Sequence, residues 1–146
     1  DGLATLVSYR IRLLQIAAYK SFEQTATGHG SAPRYYGMLK LVAANPGVTQ
    51  TRLAEAIFLD RSSLVPLLDT LTREGWIERR KAAQDKRVRR IYLTPGGAAK
   101  LTGLEVEIEA HEAMMTAGLS GGEKTQLLAL LRRIDTNLRQ AHSRPK

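Results

Sequence analysis

The strongest constraint on the fold is a change in the spacing of apolar residues at Gly75. Before Gly75, apolar residues recur every three or four positions, which predicts amphipathic helices. In segments 76–80 and 88–93, β-branched and aromatic residues mix with arginines at a period of two, and a polar turn separates the segments. This pattern predicts a β-hairpin. The chain therefore combines several helices with one short hairpin.

Four helices are predicted before the hairpin. The first covers residues 3–22, where apolar residues form a stripe wider than one neighbouring helix needs. Pro33 suits the first turn of the second helix. Thr49 and Asp60 are suitable N-caps for a short third helix and for a fourth helix that runs to about Glu74.

Two further helices are predicted after the hairpin. Thr94 and Pro95 supply an N-cap and a proline in the first helical position, and a long helix follows them. Ser120 and Glu123 have the spacing of a capping box, which opens a last helix rich in leucine. This order predicts a mainly α fold with a small β-hairpin wing, as in a winged helix-turn-helix with long helices at both ends. A plain helical bundle is the alternative for the helices alone.

Positive charge is concentrated in the hairpin. The 146 residues carry a formal net charge of +8, and residues 79–90 contain seven lysines or arginines and one aspartate. Residues 103–123 contain five glutamates and neither lysine nor arginine. A basic segment can be no more than a solvated surface, but a surplus of this size on a small domain indicates a polyanionic partner.

Several function classes lack the residues that they require. Cysteine is absent, which excludes disulfides, thiolate nucleophiles and cysteine-ligated zinc. The histidines are not spaced for a shared metal, and no nucleophile or phosphate-binding loop accompanies the glutamates. We therefore expect no metal, no cofactor and no enzymatic activity. Apolar runs are too short to cross a bilayer, so we expect a cytoplasmic protein without membrane contact.

The order of the elements gives each of them a role in binding DNA. The N-terminal residues of the fourth helix can meet base edges in the major groove, while hairpin arginines contact phosphates or the minor groove. One rival function is a winged-helix module that binds an acidic protein without reading DNA. An enzyme is the third choice. Only a DNA-reading regulator should lose affinity steeply with salt and also prefer one operator over random duplex.

Six short motifs between residues 53 and 97 carry a family resemblance. They are Leu53-Ala54-Glu55, Asp60-Arg61-Ser62-Ser63-Leu64, Leu68-Asp69-Thr70-Leu71, Glu74-Gly75-Trp76-Ile77-Glu78-Arg79, Asp85-Lys86-Arg87 and Leu93-Thr94-Pro95-Gly96-Gly97. These motifs resemble those of the MarR family of bacterial winged helix-turn-helix transcriptional regulators. The resemblance covers residues 33–101, and the long helices outside that range match the family in length and position only.

The resemblance implies a homodimer whose first and last helices interlock. This homodimer binds a pseudo-palindromic operator in double-stranded DNA. The resemblance divides the chain into an N-terminal dimerisation helix at 1–32, a winged helix-turn-helix DNA-binding region at 33–100 and C-terminal dimerisation helices at 101–146. It also implies a repressor that is released by a small anionic ligand bound between the dimerisation and DNA-binding parts. Twofold symmetry predicts half-sites about one helical turn, roughly 10 bp, apart.

The fourth helix departs from the family pattern at Val65 and Pro66, where the family usually has a threonine-arginine pair. The change removes an arginine that often contacts guanine or phosphate. Proline in a helix interior costs about 3 kcal/mol, so the helix either kinks at Pro66 or has a regular part that begins nearer Ser63. Helix capping is the alternative role of both serines. The candidate base-edge or backbone contacts are Arg61, Ser62, Ser63, Val65 and Pro66.

The hairpin supplies the remaining candidate DNA contacts. By the resemblance, Asp85 holds the Arg87 guanidinium at the hairpin tip, so that Arg87 lies in the minor groove, where the potential is most negative. The other hairpin cations are expected to contact phosphates, and solubility alone is the alternative for each of them. They are Arg79, Arg80, Lys86, Arg89 and Arg90.

Candidate ligand contacts lie near the junction of the first two helices. Aromatic and sulfur-bearing side chains there supply an apolar surface, and Arg34 or His29 could pair with a carboxylate. The expected ligand class is an aromatic acid or its thioester. Core packing is the alternative for every candidate. The candidates are Tyr19, His29, Arg34, Tyr35, Tyr36 and Met38.

Overall fold

The computed structural model describes residues 2–143, which form two compact units that divide between Glu109 and Ala110. Residues 1 and 144–146, which belong to the predicted terminal regions, lie outside the described residues. The elements are α1 Val7–Thr25, α2 Tyr36–Ala44, β1 Val48–Thr49, α3 Gln50–Ala56, α4 Arg61–Arg73, β2 Ile77–Lys81, β3 Arg89–Leu93, α5 Pro95–Met115 and α6 Gly121–Ser143. This mainly helical architecture with one small antiparallel sheet confirms the predicted fold class.

The sheet contains one strand that the sequence pattern does not predict. β3 lies in the centre, with β2 on one side and β1 on the other. The predicted hairpin is confirmed, because β2 pairs with β3 from Ile77 opposite Leu93 to Lys81 opposite Arg89. β1 has only two residues, which is too short to show an alternating pattern. It joins the wing to the start of α3, since Val48 lies opposite Ile91.

The core lies between the helix-turn-helix, the sheet and the first half of α5. In α4, Leu64, Leu68 and Leu71 are buried, whereas Leu67 is only half-buried and packs at the edge. The predicted apolar side of α5 is buried at its start, where it contributes Leu101 and Leu104. The other large, fully buried side chains are Leu39, Val42, Leu53, Ile77 and Ile91.

α4 begins at Arg61 and continues through Pro66 to Arg73. The helix starts at its predicted cap, because an Asp60 carboxylate oxygen accepts a hydrogen bond from the Ser63 N–H at 2.7 Å. The Ser63 N–H and the Ser62 hydroxyl hold the pKa of Asp60 below its ordinary value. Pro66 lies only six residues into the helix and removes a single hydrogen bond, the one to the Ser62 carbonyl. The regular part of α4 therefore does not begin later at Ser63.

Thr94 connects the end of α4 with the start of α5. Its hydroxyl donates to the Gly75 carbonyl at 2.6 Å, and its oxygen accepts the Gly97 N–H at 2.8 Å, as expected for an N-cap. Gly75 has a φ of +83°, which favours glycine at this C-terminal stop. Gly97 is buried directly against the carbonyl of Trp76. The base of the wing is thus packed without space for an additional carbon.

Gly97→Ala is expected to destabilise the fold by about 1–3 kcal/mol, because its methyl group would overlap the Trp76 carbonyl. Gly96→Ala is the matched control. The nearest atom to its added methyl group is the Thr94 hydroxyl oxygen at 4.0 Å, so its stability should be unchanged or slightly increased. Urea denaturation of both variants measures the difference. Equal stability of the two would contradict the close packing at the wing base.

The apolar stripe of α1 is only partly covered within one chain. Phe22, near the end of the helix, is buried in the core, whereas Val7, Ile11 and Leu14 on the same face are exposed. A stripe that continues beyond the core indicates a second partner for the N-terminal half of α1.

Among residues 2–143, no helix is both long enough and apolar enough to span a bilayer.

α6 presents an uncovered apolar face in its own unit. Its predicted capping box is present, since the Ser120 N–H donates to Glu123 at 2.9 Å and the Glu123 N–H donates to the Ser120 oxygen at 3.1 Å. Leucines along one face of the helix are exposed, and none of its described residues is buried. They are Leu127, Leu131 and Leu138, and the half-buried Ile134 lies among them at helical spacing.

Candidate nucleic-acid interface and effector cavity

The exposed side of α4 carries the predicted base contacts. Because Leu64, Leu68 and Leu71 are buried, the helical period leaves the opposite side to solvent. The Ser62 hydroxyl donates to Asp60 at 2.9 Å, and the Ser63 N–H donates to the same oxygen, so both serines take part in capping. The predicted contacts Arg61, Ser62, Ser63, Val65 and Pro66 are all exposed.

The tip of the wing holds Arg87 in the predicted arrangement. An Asp85 carboxylate oxygen accepts from the Arg87 backbone N–H at 3.0 Å and from its Nε at 3.3 Å. The Arg87 side chain is 92% exposed. Its carboxylate partner therefore orients the base of the guanidinium while leaving its outer nitrogens toward solvent. Contact of Arg87 with a minor groove stays a prediction.

Arg79 is held against the helix-turn-helix. Its Nη2 lies 2.6 Å from the Asp69 Oδ1, and its side chain is only 24% exposed. Asp69 is on α4 and Arg79 is on β2, so this ion pair fixes the wing relative to the fourth helix. The sequence pattern marks Arg79 only as a phosphate contact, because nothing in it shows that Asp69 lies opposite.

Other hairpin cations also have partners within the protein. Arg80 pairs with Glu78, and its guanidinium carbon lies 4.3 Å from the centroid of the Tyr92 ring. Arg89 donates to the Lys86 carbonyl at 2.6 Å. Arg90 donates to the Gly47 carbonyl at 2.9 Å, which ties β3 to the turn before β1. Much of the basic surface is therefore preorganised rather than loose.

A cavity of about 730 Å³ lies between α1, α2 and the turn that joins α3 to α4. Four of the predicted ligand contacts line it: Tyr19, Arg34, Tyr35 and Met38. Arg12 and Gln15 also line the cavity, although they are not among the predicted contacts. They share a helix face with Ile16 and Tyr19. Helical spacing from Tyr19 would have found them. The remaining lining residues are Ile16, Gly37, Ile57, Leu59 and Leu67.

The charged part of the cavity is arranged around Tyr19. The guanidinium carbon of Arg34 lies 5.3 Å from the centroid of the Tyr19 ring. Desolvation, followed by the nearby Glu23 carboxylate, raises the pKa of the Tyr19 phenol. The Tyr19 hydroxyl donates a hydrogen bond to the Glu23 carboxylate at 3.3 Å. Arg12 and Arg34 give the cavity two cations beside aromatic surface, which suits an aromatic anion.

His29 and Tyr36 do not line this cavity. His29 Nε2 lies 2.9 Å from a Glu107 carboxylate oxygen on α5, so its predicted carboxylate partner belongs to the protein itself. It borders a separate cavity of about 500 Å³ together with Glu74, Trp76 and Lys100. Tyr36 is half-buried and packs against the core, as the core-packing alternative requires. Across residues 2–143, no three histidine or carboxylate side chains group to hold a metal ion.

Comparison with known proteins agrees with this geometry. A family profile described as the MarR family matches residues 29–88. A putative transcriptional regulatory protein for the hcr operon of Thauera aromatica is 35% identical over 134 residues, which cover 91% of this chain and 81% of that protein. This chain belongs to the MarR family. The resemblance seen in its motifs is thereby confirmed, and its main function is that of a MarR-type transcriptional regulator.

Two solved MarR regulators are similar in fold. The PcaV transcriptional regulator from Streptomyces coelicolor, in complex with its natural ligand, gives a TM-score of 0.82 at 28% identity and covers 92% of this chain and 94% of its own. The transcriptional repressor CouR, bound to a 23-mer DNA duplex, gives 0.79 at 28% identity and covers 91% and 94%. The similarity therefore extends beyond the winged helix-turn-helix to most of both chains.

Proposed function

We propose that this MarR-family regulator is a dimeric repressor whose operator affinity falls when a small aromatic anion occupies the 730 Å³ cavity. The observation that carries the proposal is the pair Arg12 and Arg34 beside Tyr19 and Tyr35 in one cavity. CouR bound to a DNA duplex and PcaV with its natural ligand support the two halves of the proposal. The ligand class is an aromatic acid or its thioester.

The proposal gives each part of the chain a role. Residues 33–100 bind the operator, while residues 1–32 and 101–146 join the protomers. The protein acts in the cytoplasm, has no catalytic activity and needs no cofactor. A winged-helix module for an acidic protein has only the charge of the wing in its favour. Selection of genomic fragments by the purified protein tests DNA reading directly, because only a regulator enriches one operator over random duplex.

A matching aromatic anion should lower operator affinity by about 5- to 150-fold, the usual range of allosteric coupling. A panel of aromatic carboxylates and their thioesters is screened by thermal shift, and each stabilising compound is then added to an operator titration. By reciprocity, operator DNA must weaken binding of the compound by the same factor. Compounds that stabilise the protein yet leave operator affinity unchanged would show an occupied cavity that is not a switch.

Arg12→Ala and Arg34→Ala should each reduce the response to the anion, because each removes one cation from the cavity lining. Arg10→Ala is the matched control, since Arg10 is exposed on the same helix and does not line the cavity. All three variants should keep their operator affinity without the anion. A full response in both lining variants would contradict the proposed site.

A further inference from the structure

The middle of the exposed surface of α4 is apolar. The helix contains no charged residue from Ser62 to Leu68. The nearest charged residues are Arg61 before this segment and Asp69 after it. Val65 is 37% exposed, and Pro66 beside it is exposed as well. Neither side chain belongs to the buried core. They form a small apolar patch on the helix that the proposed function places in the major groove.

Several polar groups around this patch have partners within the protein. The Ser62 hydroxyl donates to Asp60 at 2.9 Å, and Asp69 forms its ion pair with Arg79 at 2.6 Å. Pro66 has no N–H, and its carbonyl accepts from the Thr70 hydroxyl at 3.1 Å. Val65 and Pro66 themselves therefore present hydrocarbon rather than hydrogen-bond donors to whatever they contact.

Hydrocarbon on a groove-facing helix can distinguish one base from the other three. In the major groove only thymine carries a methyl group, whereas guanine, adenine and cytosine offer hydrogen-bonding groups that valine and proline cannot use. Building on the proposed function, we propose that Val65 and Pro66 select the operator sequence by packing against thymine methyl groups. The specificity-determining surface of this regulator is thus a methyl-binding patch rather than an arginine that contacts guanine.

Pro66 is itself an argument for a surface role. Proline in a helix interior removes a hydrogen bond and costs helix stability, and its exposed ring gains nothing from core packing. The ring supplies rigid apolar area that loses no rotamer freedom on binding. Val65, which is β-branched, is similarly restricted in χ1 within a helix. Both side chains are therefore ready for contact without an ordering cost.

Deoxyuridine substitution tests the proposal because it removes only the methyl group of thymine. In the operator found by selection, each thymine of one half-site is replaced in turn, and binding is titrated at fixed salt. At the contacted position we expect about fourfold weaker binding, the effect of leaving one methyl-sized group unburied. Replacement in both half-sites should weaken binding about 15-fold. If no thymine position responds, the proposal is overturned.

The Val65→Ala and Pro66→Ala variants connect the effect to the patch. At the responsive position, each variant should lose part of its sensitivity to deoxyuridine, and the double variant should lose nearly all of it. Both residues are exposed, and alanine favours the helix, so folding is preserved and is checked by circular dichroism. Undiminished sensitivity in the double variant would overturn the proposal.

Arg87→Ala is the matched control, because a wing residue should leave the sensitivity to deoxyuridine unchanged while weakening binding overall. Two further operators carry cytosine or 5-methylcytosine instead of thymine at the responsive position. Tighter binding to the 5-methylcytosine operator would further support methyl recognition. If instead the protein enriches no duplex at all during selection, the proposed function fails. That result is distinct from selective binding without a methyl effect, which refutes the methyl-binding patch alone.

Discussion

Arg87→Ala is expected to weaken operator binding by about 100-fold, whereas Arg80→Ala should weaken it by about threefold. A dimer brings two wings to the operator, so each substitution acts twice. Arg87 extends from the hairpin tip with its side chain 92% exposed, and Asp85 holds the base of its guanidinium. A narrow minor groove concentrates negative potential around such a residue, whereas one phosphate contact among many contributes little.

Arg80 is a suitable control because it lies on the same hairpin and carries the same charge. Its guanidinium is occupied by Glu78 and by the face of Tyr92. Both variants should remain dimeric and folded, which sedimentation and circular dichroism verify. Asp85→Asn should fall between them, since a neutral amide still accepts hydrogen bonds but holds the guanidinium less firmly. Equal affinities of the two arginine variants, titrated at one salt concentration, would refute the assigned role of the wing tip.

Leu131→Glu together with Leu138→Glu is expected to separate the protomers and to lower operator affinity by at least about 1000-fold. Both leucines lie on the exposed apolar face of α6, and MarR regulators are dimers. Burying a charge in an apolar interface without a partner is costly, so the associated state is strongly disfavoured. Each monomer then holds one half-site and loses the gain from binding both.

The control is Thr136→Glu, which adds one negative charge on the opposite face of α6. It should stay dimeric in sedimentation velocity at micromolar concentration and bind the operator normally. A Leu131→Glu, Leu138→Glu protein that sediments as a dimer would show that this face of α6 is not the interface.

Footprinting of the native protein should give two half-sites about one helical turn, roughly 10 bp, apart.

Local chemistry accounts for the parts of the fold that the sequence predicts correctly. The caps at Thr49, Asp60, Thr94 and Ser120 are each confirmed, because a cap depends on residues only two or three positions away. The hairpin is also local, since its strands are consecutive. β1 is not predictable in this way, because a strand of two residues exists only through its pairing with β3, more than 40 residues away.

In the candidate site, too, contacts between neighbouring residues are predictable from the sequence, whereas contacts between distant segments are not. The contact between Asp85 and Arg87 spans two residues, and it is present as expected. The pairs that connect distant segments were not predicted, and they decide which residues are available. Arg79 belongs with Asp69, and His29 belongs with Glu107. Charge and residue type identify possible contacts, but packing between elements determines which of them face a cavity or a groove.

The internal pairing of the wing arginines affects how tightly this protein binds DNA in general. A free cation that neutralises a phosphate releases a condensed counterion, and that release drives attachment to any duplex. An arginine that already shares a carboxylate, as Arg79 and Arg80 do, adds little net charge and releases fewer ions. The dependence of affinity on salt should therefore be shallower than seven hairpin cations imply. Non-specific chromosomal DNA then competes less with the operator for the protein.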